Sequence, residues 1–327
     1  MRIAIHDCEL EQMPNKTFPN FALMKISAWH KSKGDTVEWF IPFYRDCYDL
    51  VYSSSVFDFT SKPTSDYLPE NTIYGGTGYG LYGKENDLPL EIDNMFPDYS
   101  IYPNCDYAIG FLTRGCINNC KYCVVPKKEG KIRPYSKWQD IVRRDTNKIH
   151  FMDNNVLSCE YGIQQLKELA ETNYLIDFNQ GLDIMLVTEE IVEILSKIKW
   201  DKYIRFSCDK KYQMPYFKNV VGWFKKYNIP LSKIFVYVLV QKDLTDADER
   251  VQYLHSLSPS INIYAQAERN ELLGIRPNKE QLEFAQRYVY GRCYKKETWN
   301  EYKKRIWEME KYERNIKTRQ NICKGKM

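Results

Sequence analysis

Six short apolar runs, at residues 107–113, 148–152, 174–179, 202–207, 233–240 and 260–266, alternate with segments of helical periodicity at 161–172, 188–197, 213–227 and 245–257. This alternation limits the fold more than any other feature, because strands separated by crossover-length helices pair in parallel through right-handed connections. The expected architecture is α/β, a partial parallel (β/α)6 barrel or an open sheet, with chemistry gathered where the strands end. Trp138 to Arg144 reads as one more amphipathic helix.

The first hundred residues carry their own α/β pattern. Residues 2–6 form a buried strand, followed by a polar loop with Pro14 and Pro19. Asn20 then caps a helix stopped at Gly34. Strands are expected at Thr36–Phe40 and Leu50–Phe57, and a third runs into Gly75-Gly76-Thr77-Gly78, which opens no evident helix and is a weak dinucleotide fingerprint. Pro89, Pro97 and Pro103 mark an extended linker. Beyond residue 270 the chain reads as helical, with Trp299, Tyr302, Ile306 and Met309 forming an apolar stripe. The expected division is therefore 1–104, 105–270 and a basic helical extension, 271–327.

A chain of 327 residues, 43% hydrophobic, has enough apolar side chain for a sizeable core, and its 26 Tyr and 7 Trp bring polar groups into that core that need partners. No run approaches the roughly 18 apolar residues of a spanning helix, and the apolar start is too short for a signal peptide, so a cytoplasmic protein is expected. The ten cysteines then read as reduced thiols, used for metal ligation or burial. Charge is uneven: the whole chain carries +4, while Lys295–Met327 holds eleven Lys or Arg against five Glu. Such a tail is either a solvated helix or a contact for nucleic-acid phosphates.

The segment Thr113-Arg114-Gly115-Cys116-Ile117-Asn118-Asn119-Cys120-Lys121-Tyr122-Cys123 places three cysteines, three and then two residues apart, on one loop directly after a strand. Soft thiolates in this number select zinc, copper(I) or an iron–sulfur cluster. An electron-transferring four-iron cluster takes four cysteines. Three leave one iron open to a ligand, the arrangement by which catalytic metals hold substrates. A structural zinc site would recruit a fourth ligand from Cys105 or Cys159. His6, His30, His150 and His255 are scattered and suggest no hydrolase triad.

The loop, with Tyr122 before its third cysteine, resembles that of the radical S-adenosylmethionine (SAM) superfamily. The resemblance covers roughly residues 107–266. It implies that Cys116, Cys120 and Cys123 bind a [4Fe-4S] cluster whose open iron is chelated by SAM. Reductive cleavage by a one-electron donor such as flavodoxin or ferredoxin would give a 5′-deoxyadenosyl radical that abstracts hydrogen from a substrate. Tyr122 and Asp153-Asn154-Asn155, after the second strand, stand where the family contacts the cofactor, Asp153 as acceptor for its amino group. Asn179 and Gln180 end the third strand. Arg205, Ser207 and Asp209, sharing a face of the fourth, are expected near its ribose and carboxylate.

The first hundred residues resemble the Rossmann-like domain that binds cobalamin ahead of some radical SAM barrels. In place of the Asp-x-His-x-x-Gly that supplies an axial histidine, this chain has His6-Asp7-Cys8-Glu9-Leu10-Glu11. The rival readings are a cobalamin-dependent radical SAM methyltransferase, a methylthiotransferase acting on nucleic acid, and a non-catalytic metal- or nucleic-acid-binding protein on the same fold.

Overall fold

Ile3, Ala4 and Ile5 are wholly buried, as a strand covered on both faces requires. They form β1 (Arg2–Asp7) of a parallel sheet ordered β2-β1-β3-β4, with β2 (Thr36–Trp39), β3 (Leu50–Ser54) and β4 (Thr72–Gly75). The computed structural model describes residues 1–13, 18–64, 66–270 and 273–324, with side chains at the C-terminus described to Tyr312. The expected turn residue Pro14 and the tail side chains from residue 313 onward lie outside the described residues. No described helix is long and apolar enough to cross a membrane.

The chain folds as two compact units, Met1–Ile204 with Asn270–Arg276, and Arg205–Arg269 with Pro277–Met327. In the first, Asp7 caps α1 (Cys8–Gln12) by accepting from the Glu9 and Leu10 amides at 3.0 and 3.1 Å. Asn20 caps α2 (Phe21–Ser32) as expected, and Gly34, at φ +85°, turns the chain out of that helix. A short helix, α3 (Leu90–Asp93), follows β4. Ile5, Leu23, Met24 and Ile26 share one core with Ile101, Tyr107 and Ile109, so the opening sheet packs continuously with the start of the next.

His6 is less isolated than its place in the sequence suggests. Its Nδ1 lies 2.8 Å from Ser53 Oγ and its Nε2 3.0 Å from Glu11 Oε2. Tyr79 OH extends the network to Ser53 Oγ (2.8 Å) and Cys8 Sγ (3.3 Å). With both ring nitrogens engaged and the ring buried, His6 does not fit the role of an axial cobalamin ligand.

The second sheet of this unit is ordered β10-β9-β8-β5, from β5 (Ala108–Gly110), β8 (Lys148–Phe151), β9 (Leu175–Phe178) and β10 (Lys199–Trp200), all parallel. Between β5 and β8 lie an antiparallel pair, β6 (Thr113–Arg114) with β7 (Arg133–Pro134), and the short helix α4 (Val125–Lys128). The crossovers are α5 (Glu160–Ala170) and α6 (Glu189–Lys197), the latter capped by Thr188. The helix expected at Trp138–Arg144 shrinks to a single 3-10 turn, Trp138–Asp140. Side-chain demands outside the segment override its periodicity: Trp138 donates to Gln165 and Glu168, and Arg143 to the carbonyls of Cys105 and Tyr107.

In the second unit β11 (Ile204–Ser207), β12 (Ile234–Val240) and β13 (Asn262–Ala267) form a three-stranded sheet in chain order. The six expected strands thus exist at the expected positions but hydrogen-bond as two separate sheets, with the short β10 added to the free edge of β9. Helices α7 (Met214–Lys226) and α8 (Leu244–Leu257) join the strands. Arg250, 1% exposed, donates to the carbonyls of Cys208 and Leu239 and pairs with Asp246, tying together the ends of β11 and β12. After α9 (Lys279–Glu283), α10 (Trp299–Lys324) buries Trp299 and Tyr302 against Phe284 and Tyr288, while Met309 of the expected stripe is exposed.

Candidate active site at the cysteine loop

The β6–β7 pair brings together the two ends of the segment that carries the cysteines, with Thr113 opposite Pro134 and Arg114 opposite Arg133. Gly115 begins the loop at φ +86°, and a Cβ there would lie 2.4 Å from the Lys131 carbonyl oxygen, so only glycine fits. The Cys116 amide then donates to the Gly130 carbonyl at 3.2 Å, and the Cys123 amide to that of Cys120 at 3.0 Å. All three thiols are half-buried and unbridged.

Glu129 fastens the base of the loop. It accepts two 3.0 Å hydrogen bonds from the Arg114 guanidinium, 2.9 Å from the Gly115 amide and 2.8 Å from Asn154 Nδ2. Burial opposes the carboxylate's charge, but Arg114 and these donors hold its pKa below the ordinary value. Arg114 also lies over the Phe111 ring at 4.2 Å. Beside it, Tyr135 donates to Asp93 (2.6 Å), and Lys25 of α2 reaches both groups, so the first sheet's helix supports the root of the loop.

A second set of contacts reaches the loop from the ends of β8 and β9. Asp183 Oδ2 accepts from Asn118 Nδ2 at 2.8 Å and from Asn155 Nδ2 at 3.2 Å, while its Oδ1 caps the following turn at Met185. The Asn118 amide and Asn155 Nδ2 both point at Cys116 Sγ, at 3.3 and 3.5 Å. Asn155 Oδ1 is buried without a hydrogen-bond partner, a position that costs free energy unless a donor arrives.

Of the residues expected from sequence, Asn155 joins Cys116 directly and Asn154 joins through Glu129. Tyr122 lies half-buried within the loop. Asp153 is placed otherwise than expected: its oxygens are taken by the Leu112 amide (3.0 Å) and by the amide and hydroxyl of Thr113 (2.6 and 2.7 Å). Wholly buried, it joins β8 to the start of β6, and desolvation raises its pKa to about 6 despite these donors. Asn179 and Gln180 form the turn that ends at Gly181 (φ +89°), with Gln180 exposed.

Arg205 and Ser207 share the half-buried face of β11 in the second unit, where Arg205 lies over Phe235 at 5.1 Å. Asp209 departs from that face, its Oδ1 accepting from the Leu239 amide at 3.1 Å. Sequence reading missed Glu129, and it offered Asp183, at the polar end of the third strand, only as a cap for the segment that follows, which it is, and not as a hold on the loop. Their signal was the density of carboxylates and amides around the loop, but their partners lie up to 65 positions away.

The donor set fits an iron–sulfur cluster in chemistry: three thiols on one glycine-started loop, N–H groups directed at one sulfur, and an orphan acceptor beside it. Among the described residues no three His, Cys, Asp or Glu side chains are already drawn together as a metal-holding group. Cys105, a fourth ligand in the zinc reading, is buried and directs its thiol to the Tyr107 carbonyl at 3.4 Å.

No family model matches the chain. It is 28% identical over 134 residues to the ribosomal protein uS12 methylthiotransferase RimO of Clostridioides difficile (strain 630), a match covering 34% of this chain and 28% of that protein. It is 25% identical over 170 residues to the tRNA-2-methylthio-N(6)-dimethylallyladenosine synthase of Aquifex aeolicus (strain VF5), covering 47% and 38%. The matches thus span less than two fifths of each curated relative. Both similarities support the radical SAM superfamily at that coarse level. Neither bears on cobalamin.

Proposed function

We propose that this chain is a radical SAM enzyme whose Cys116, Cys120 and Cys123 hold a [4Fe-4S] cluster. The observation that carries the reading is the buried Asn155 amide, which donates toward the Cys116 sulfur and presents an unpartnered Oδ1 beside it. When bound, cluster and SAM supply reductive cleavage of the sulfonium, giving methionine and a 5′-deoxyadenosyl radical that abstracts hydrogen from the substrate.

The chain's own residues bind and orient. Asn155 Oδ1 accepts from the amino group of SAM, the role that Asp153 is too enclosed to fill. Asp183 holds Asn155 and Asn118 in register with the loop. Tyr122, Asn154, Asn179 and Gln180 complete the surroundings. A flavodoxin or ferredoxin delivers the electron, and the basic tail contacts nucleic acid.

A second reading, transfer of a methylthio group to RNA or a ribosomal protein, is favoured by the names of the two relatives. Anaerobically reconstituted protein given dithionite and SAM tests both. 5′-Deoxyadenosine is expected, with near-complete loss in Cys120→Ala. S-adenosylhomocysteine formed alongside it favours methylthio transfer, since methyl donation leaves that product. No 5′-deoxyadenosine from iron-loaded wild type overturns the proposal.

A further inference from the structure

We infer that Asn155 raises the reduction potential of the cluster held at Cys116. The inference rests on the function proposed above and adds to it a second task for the same side chain. Asn155 is 2% exposed, with Nδ2 placed 3.5 Å from Cys116 Sγ and 3.2 Å from Asp183 Oδ2. A carboxylate oxygen only accepts, so Asp183 fixes which end of the amide faces inward, and that end is the donor. The donor is therefore preorganised toward the sulfur.

An N–H aimed at a ligating thiolate stabilises extra negative charge there, so it favours the one-electron-reduced cluster over the oxidised one. The electron comes from an added one-electron reductant, and no bond or proton changes place. Burial keeps water from screening the effect. Asp183, being negative, acts in the opposite sense, so the residue to change is Asn155.

The test is a potentiometric titration of the full-length reconstituted chain, followed by electron paramagnetic resonance, with iron per chain measured in parallel. Asn155→Leu fills a similar volume without a donor. The midpoint is expected to move to more negative potential at unchanged iron content; an unmoved midpoint overturns the inference. Should the leucine variant take up less iron, Asn155→Val decides: it is smaller, lacks the donor and adds no charge, and is expected to shift the same way, an unmoved midpoint again overturning the inference. Wild-type protein that binds no iron would overturn the underlying reading instead, so the two failures are distinguishable.

Discussion

Glu129 grips Arg114 through two hydrogen bonds of 3.0 Å across a fifteen-residue separation, which makes the pair the clasp of the cysteine loop. Both side chains are largely buried. Removing one partner leaves a buried guanidinium unpaired, a loss on the order of 3 kcal/mol. Glu129→Ala is expected to lower the free energy of urea unfolding by about that amount and to reduce iron uptake on reconstitution. Unchanged stability would show that the clasp carries no strain-bearing role.

Gly115 gives a backbone test of the same loop. A side chain at φ +86° is strained, and its Cβ would meet the Lys131 carbonyl oxygen at 2.4 Å. Gly115→Ala is expected to cost about 2 kcal/mol or more. Iron uptake should fall with it, whereas Gly130→Ala, strained at φ +70° but meeting nothing within 4 Å, should cost less. Equal losses for the two would contradict the close approach at Gly115.

Asp153 predicts a pH dependence with a definite sign. Its folded pKa stands at about 6, above the ordinary 3.8, so the native state binds the proton more tightly than the unfolded chain. Its contribution is present in full below about pH 4 and is lost as pH rises through 6, by about 3 kcal/mol at most. Asp153→Asn removes this titration. Wild type should therefore lose stability relative to the variant as pH rises from 4 to 7, by up to about 3 kcal/mol. A gap that does not change with pH contradicts the placement.

In the second unit, Arg250 satisfies the Cys208 and Leu239 carbonyls at 2.6 and 2.9 Å. Arg250→Met keeps the volume but strands these acceptors and Asp246, and should destabilise by about 3 kcal/mol in urea unfolding.

Much of the fold was legible because period and capping are local. Asn20 starts its helix, Gly34 ends it, and the six strands fall within a few residues of the expected runs. Register and sheet membership were not legible, because β10 is two residues long and no pattern in the sequence marks the break between β9 and β11. The helix expected at Trp138 gave way to tertiary hydrogen bonds that Trp138 donates to Gln165 and Glu168, which periodicity does not record. At the site, spacing alone identified the three cysteines. Asp153 was expected to accept from the cofactor, whereas its oxygens take the Leu112 amide and the Thr113 amide and hydroxyl, contacts across forty or more positions that the sequence pattern does not record.

The most direct measurement is metal analysis of anaerobically purified and reconstituted chain, beside the Cys116→Ala, Cys120→Ala and Cys123→Ala variants. About four irons per wild-type chain, lost in each variant, is the predicted result. One zinc and no iron would contradict the account and return the loop to a structural or nucleic-acid-binding role.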